Sequence, residues 1–394
     1  MRYLEEFRDR QAICAQFDAI ANVVNRSPQT FTVMEVCGGQ THNLAKYGIL
    51  EQLPPNIQLI HGPGCPVCVT PSHQIDYAAQ LSLRPKITLC TYGDMMRVPG
   101  SEISLAQARA EGGSIRVVTS PIEAVEYAHQ NSDREIVFFA VGFETTAPAT
   151  ALAITQAKQM GLANFSVLAT HVRVPPAMEL ILDDPENRVR GFLAAGHVCT
   201  IMGLNEYETL SKKFETPIVV TGFEPLDLLL GIHRLLTLMK AGEHGVVNEY
   251  ARVVKPAGNP AAKNMLLEVF EQTDQPWRGL GQVPLGGLQI VSKYDDFDAS
   301  KKFALNTGCL NEKNTENTKN TEGTKHTEST GCQSGLVLTG KIKPHQCPHF
   351  NNGCTPSNPM GAPMVSTEGA CAAYFLYKTN KLYKTNKLPN EVTQ

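Results

Sequence analysis

The sequence predicts an α/β fold: two similar doubly wound parallel-sheet domains followed by a mostly helical or irregular C-terminal domain. Three observations lead there. Short β-branched runs alternate with helical patterns between residues 31 and 240. The runs are apolar throughout rather than alternating, as in strands covered on both faces. The order of elements then repeats, with a polar glycine turn after the first strand of each half: VCGGQTH (36–42) and VGFETTA (141–147).

Taken in order, residues 3–25 carry Leu4, Phe7, Ile13, Phe17, Ile20 and Val24 at roughly helical spacing. This places an N-terminal helix at 1–28, expected to pack on the C-terminal domain. Strand-like runs follow at 31–36, 57–60, 87–92 and 115–120, giving a first α/β domain over 29–134. Runs at 136–141, 166–171, 197–203 and 217–222 give a second over 135–240. Helical patterns at 102–111, 121–130, 148–160 and 224–240 would cover the sheets. The turns TSPIEAVEYA (119–128) and TGFEPLDLLLGI (221–232) match in position across the two halves. The C-terminal domain is 241–394. Within it, 246–272 reads as helical with a break at 256–260, and 277–287 as irregular. The tract 311–331 is polar and of low complexity, so it is expected to be a disordered insertion. The tail repeats itself over 377–390.

Of the 394 residues, 42% are apolar and 19% charged, an ordinary globular composition. A net charge of −3 gives no basic field for nucleic acid or anionic lipid. MRYLEEFRDR at the N-terminus has no apolar core of a secretory signal. The longest apolar stretch, LDLLLGIHRLLTLMK, is broken by His233 and Arg234. The expectation is a soluble, cytoplasmic protein with no membrane or nucleic-acid partner. In that compartment its 11 cysteines point to metal or redox chemistry rather than structural stapling.

Four of them, Cys332, Cys347, Cys354 and Cys371, are separated by 14, 6 and 16 residues. Iron–sulfur clusters take four thiolates at irregular spacing, whereas small zinc ribbons show paired C-x₂₋₄-C knuckles, which are missing here. Zinc and unrelated buried cysteines stay open as alternatives. Cys309 is a possible fifth candidate. In GPGCPVC (62–68), Cys65 and Cys68 follow a strand and precede a helix starting near Ser72. Such a pair can close a disulfide or share a soft metal ion, and a helix N-terminus favours thiolate. Cys37 ends the first strand and is followed by Gly38 and Gly39, which permit close approach of backbone or ligand. His42 could act as acid, base or hydrogen-bond donor. If the first two strands are neighbours, Cys37, Cys65 and Cys68 converge on one cleft, a soft site suited to iron or redox work. GFETTAP (142–148) would face that cleft through Glu144, unless Thr146 merely caps a helix. Cys14, Cys90 and Cys199 read as small buried hydrophobes.

The chain resembles the HypD family of hydrogenase maturation proteins. The likeness rests on MEVCGGQTH (34–42), HGPGCPVCVTP (61–71), TYGDMMRVPGS (91–101), VGFETTAP (141–148), GHVCTIMG (196–203), HQCPHF (345–350) and TPSNPMGAPMVSTEGACAAY (355–374). It covers nearly the whole chain apart from the low-complexity tract and the tail. The resemblance implies an iron–sulfur protein that joins the small partner HypC as a scaffold for the Fe(CN)₂CO unit of [NiFe]-hydrogenase. Cyanide would come from HypE, charged by HypF, and the hydrogenase large subunit would receive the product. It further implies that Cys37 holds the iron, that Cys65 and Cys68 form a redox-active pair beside it, and that Cys332, Cys347, Cys354 and Cys371 ligate a [4Fe–4S] cluster; on chemical grounds the cluster is expected to pass electrons to that pair. The chain departs from the pattern twice. Gln40 stands where some members have His, leaving an acid–base role to His42. Ser334 stands where relatives often have a second cysteine, leaving Cys332 as the ligand. A stand-alone thiol–disulfide oxidoreductase with a structural metal site is the rival reading, and a platform without redox turnover is a third.

Overall fold

The structure, a computed structural model, describes residues 5–25, 27–304 and 331–378. The expected insertion (apart from Gly331), Cys309 and the tail repeat from residue 379 onward lie outside the described residues.

Among the described residues, nine strands form two parallel sheets. They are β1 (Phe31–Glu35), β2 (Ile57–His61), β3 (Ile87–Thr91), β4 (Ile115–Val117), β5 (Glu135–Gly142), β6 (Phe165–His171), β7 (Gly191–Ala195), β8 (Ile218–Thr221) and β9 (Val246–Asn248). The five-stranded sheet has the order β2-β1-β7-β8-β9 and the four-stranded sheet the order β4-β3-β5-β6. The α/β expectation with parallel sheets therefore holds, but the grouping of strands differs from a division at residue 134. β4 and β5 flank β3 in one sheet. The chain lays down β1 and β2, leaves to build the whole second sheet, and returns for β7 to β9.

Both sheets are covered on both faces, which is why their strands lack polar alternation. Met34, Phe192 and Val220 face one core cluster, while Val33, Leu193 and Val219 face another. Phe138 and Ala140 likewise point opposite to Val137 and Phe139.

The N-terminal helix Arg10–Val24 begins at Asp9, whose carboxylate accepts the Ala12 N–H at 2.7 Å. Its buried face of Ile13, Ile20 and Val24 packs on the helix Pro225–Ala241 through Leu229, Ile232 and Leu236. It therefore covers the five-stranded sheet rather than the C-terminal segment, because that apolar face lies beside it. Cys14, beside that face, is exposed rather than buried.

Two segments read differently from sequence. The run 197–203 is the helix Gly196–Met202, and the strand is the preceding GFLAA, β7. The helical reading of 246–272 reduces to β9 and the helix Pro260–Val269. The irregular stretch that follows is an antiparallel hairpin of β10 (Phe270–Trp277) and β11 (Gly281–Ile290). Trp277 fastens it by donating from Nε1 to Gly286 O at 3.0 Å. Among the described residues, no helix is long and apolar enough to cross a membrane.

Candidate thiol and metal centre

β1 and β2 are parallel neighbours, with Glu35 opposite His61 in register. Their carboxyl ends therefore lie side by side, and the two thiol-bearing turns leave from the same edge. Gly38 N–H donates to Gly64 O at 2.7 Å, locking the Cys37 turn against the GPGC turn. The approach is so close that a Cβ on Gly64 would stand 2.2 Å from the Cys37 nitrogen. Only glycine fits there. Cys65 caps the short helix Pro66–Val69 and is joined to Cys68 by a disulfide. Both cysteines are buried.

Cys37 is the N-cap of the helix Gly38–Lys46. Burial pushes its thiol well up, and the N–H groups of Gln40 and Gly39 pull the other way, while the carboxyls of Glu35 and Glu368 add to the rise. A soft cation would displace that proton and relieve the cost of a buried thiolate. The imidazole that meets Cys37 is His197, with Nδ1 3.5 Å from Sγ. Burial lowers His197 to about 4, so it stays neutral near pH 7. His42 is engaged elsewhere: Nδ1 lies 3.2 Å from Thr367 O and Nε2 3.1 Å from the Tyr377 hydroxyl. Gln40 is a buried tie, donating to Ala194 O at 3.0 Å, with its Oε1 left without a partner.

Cys332, Cys347, Cys354 and Cys371 line one pocket, whose remaining wall is largely apolar and includes Phe350 and Met364. The Cys371 thiol is pushed well up, first by burial and then by the thiols of Cys332, Cys354 and Cys347. Only as thiolates would the four repel one another in this apolar pocket, so a bound cation would be needed to hold them ionised, and four sulfurs are the kind of donor set that soft metal groups take. A single zinc ion makes the tighter demand on the sulfurs. Zinc at about 2.3 Å from each sulfur would draw the thiols together. Among the described residues, no three His, Cys, Asp or Glu side chains are placed to hold a single metal ion.

The pocket and the thiol cleft share walls. The turn Ala362–Met364 lines the pocket and packs on the disulfide helix Pro66–Val69. Cys371 opens the helix Ala370–Lys378, which packs on the helix that Cys37 caps. Glu368 packs against the Cys37 turn: a Cβ on Gly38 would stand 2.5 Å from the Glu368 Cβ. Sequence reasoning missed His197, Glu35 and Glu368. A signal existed for Glu35, a lone acid in the apolar run FTVMEV.

Glu144 is buried, and its Oε1 accepts the Val174 N–H at 3.0 Å while Oε2 is unpaired. The cap of the helix Ala147–Gln159 is Thr146, which makes no side-chain capping bond. Burial raises Glu144 to about 7, with the Arg173 guanidinium opposing. The folded state therefore holds a proton that the unfolded chain has released, and stability falls as pH rises toward and through 7. Between pH 6 and 8.5 the expected loss is about 1.4 kcal/mol. Denaturant titrations should show that slope in the wild type and a flat response in Glu144→Gln.

A family profile described as "HypD: Hydrogenase formation hypA family" matches residues 11–378. The chain is similar to the "Hydrogenase maturation factor HypD" of Rhodobacter capsulatus, 42% identical over 382 residues, covering 96% of this chain and 98% of the relative. It is 44% identical over 384 residues to the Azotobacter vinelandii protein of that name, covering 96% and 97%. Against the Escherichia coli K12 protein of that name it is 40% identical over 385 residues, covering 96% and 98%. A profile match over nearly the whole chain, together with full-length relatives at this identity, shows that the chain belongs to the HypD family.

Proposed function

We propose that this chain is a [NiFe]-hydrogenase maturation factor on which the Fe(CN)₂CO group is assembled. The observation that carries the reading is the convergence of three sulfur sites. Cys37 lies against the turn of the Cys65–Cys68 disulfide, and both pack on the segment that brings in the four pocket cysteines. A stand-alone oxidoreductase has no need of a third buried thiol beside its pair.

In this reading the iron being assembled is cargo. Cys37 would hold it together with a cysteine of a small HypC-type partner. Thiolate donors enrich low-spin Fe(II), which suits cyanide and carbon monoxide as ligands. His197 stays neutral beside the sulfur, where its ring nitrogen can hydrogen-bond Sγ and orient it without adding charge. Reducing the disulfide takes two electrons and two protons, breaks the S–S bond and leaves two thiols beside the cargo. Cys332, Cys347, Cys354 and Cys371 would hold a [4Fe–4S] cluster, which supplies one-electron transfer when bound. Cyanide would be delivered by a HypE-type protein, itself charged by a HypF-type protein. The finished group would pass to the hydrogenase large subunit. We place the work in the cytoplasm, where thiols remain reduced.

Anaerobic purification followed by metal analysis tests this. The expected result is brown protein with about four irons and matching acid-labile sulfide per chain. Colourless protein with one zinc would favour the oxidoreductase.

A further inference from the structure

The buried hydrogen bonds beneath Cys37 run further than the cleft needs. Glu35 is fully buried. Its Oε2 accepts the Cys37 N–H at 2.9 Å, and its Oε1 accepts from the Thr41 hydroxyl and lies 2.6 Å from His61 Nδ1. His61 Nε2 is 3.2 Å from the Tyr374 hydroxyl. One tautomer satisfies every atom: Tyr374 donates to Nε2, and Nδ1–H donates to Glu35. All three residues are nearly without exposure, yet they come from three separate segments. Tyr374 stands one helical turn after Cys371, on the same face of the helix. His345, two residues before Cys347, stacks on its ring with centroids 5.9 Å apart and planes within 13°. Tyr374 is thus gripped by two of the segments that carry the pocket cysteines.

The geometry points to a positioning relay, Tyr374–His61–Glu35, that sets the backbone of the Cys37 turn according to how the cysteine-bearing segments are seated. The inference rests on the proposed roles of the pocket cysteines and of Cys37. If the helix Ala370–Lys378 shifts, His61 loses its partner inside an apolar surround. The ring must then turn, and Glu35 cannot keep both His61 and the Cys37 N–H in place. The Cys37 turn would be ordered when the cluster is in place and looser when it is not. A satisfied buried network that only stabilised the core would show no such dependence.

The test follows iodoacetamide labelling of Cys37 by peptide mass spectrometry, on protein produced without the proposed small partner and so without cargo iron at Cys37, as purified anaerobically and after chelation of its remaining iron. In the wild type, chelation should speed labelling about fivefold, the scale of one lost hydrogen bond. Tyr374→Phe should label at the faster rate from the start, and chelation should add nothing. His61→Gln should behave alike, and the double variant should equal either single one. Tyr374→Phe labelling at the wild-type rate, or chelation speeding both proteins by the same factor, would overturn the relay. If Tyr374→Phe does not reach a wild-type melting midpoint, His61→Gln carries the same comparison. Wild-type iron and sulfide content decides the cluster reading separately. Should none be found, that reading fails, and the difference between Tyr374→Phe and wild type still decides whether Tyr374 seats the Cys37 turn.

Discussion

If the proposed function holds, replacing Cys37 with Ala is expected to abolish the cyanide and carbonyl infrared bands of the complex with the proposed small partner, while leaving any iron and sulfide of the four-cysteine pocket intact. The argument is local. Cys37 is the thiol at the head of the helix Gly38–Lys46, with His197 3.5 Å from its sulfur. The pair beside it, while closed as a disulfide, offers no free thiolate, so Cys37 is the buried thiol open to the iron in that state. Loss of one buried sulfur removes a small volume, costing about 1 kcal/mol, so the fold should survive. The loss of bands would then report a missing ligand rather than an unfolded scaffold. Bands of wild-type intensity in Cys37→Ala would refute the assignment.

Gly64→Ala should be the most damaging change of a single methyl group. The added carbon would lie 2.2 Å from the Cys37 nitrogen and 2.4 Å from the Val36 carbonyl carbon. These are backbone atoms within the bond between Gly38 N–H and Gly64 O, so neither side can rotate away. Overpacking against backbone should cost about 3 kcal/mol and pull the Cys37 turn from the disulfide. The expected readouts are a lowered melting midpoint and loss of the infrared bands, with pocket iron retained. Gly93→Ala is the control: its nearest neighbour would be Val117 Cγ1 at 3.6 Å, an ordinary contact, and it should stay within about 0.5 kcal/mol. If Gly64→Ala matches Gly93→Ala, the close apposition of the two turns is wrong.

Much of the fold was legible because buried parallel strands announce themselves as apolar runs. FTVMEV, IQLI, IVFFAV and PIVVTG all contain strands. GFLAA did not stand out, since a short run with glycine and alanine looks like a turn, while the apolar run after it is a buried helix. The hairpin Phe270–Ile290 was hidden by its glycines and prolines and by a register shift between Thr273 and Gln275. The grouping of strands could not be read at all. Nothing in β2 or β7 states that a whole sheet is built between them; only packing decides that.

For the candidate site, the meeting of Cys37 with the Cys65 turn was readable, because adjacent parallel strands bring their following turns together. His197 was not. Read on a strand, it faces nowhere in particular, whereas on the helix Gly196–Met202 it points at Cys37. The partnership of Glu35 with Tyr374 through His61 spans more than 300 residues, and no local pattern encodes it.

The most direct test of the central claim is an iron-edge anomalous diffraction map from crystals of the iron-loaded protein with its small partner. The account predicts two separate peaks. One should lie at Cys37 beside the Cys65–Cys68 pair, and a stronger one should be held by Cys332, Cys347, Cys354 and Cys371. A map with no iron at Cys37, or with a lone zinc among the four C-terminal cysteines, would contradict it.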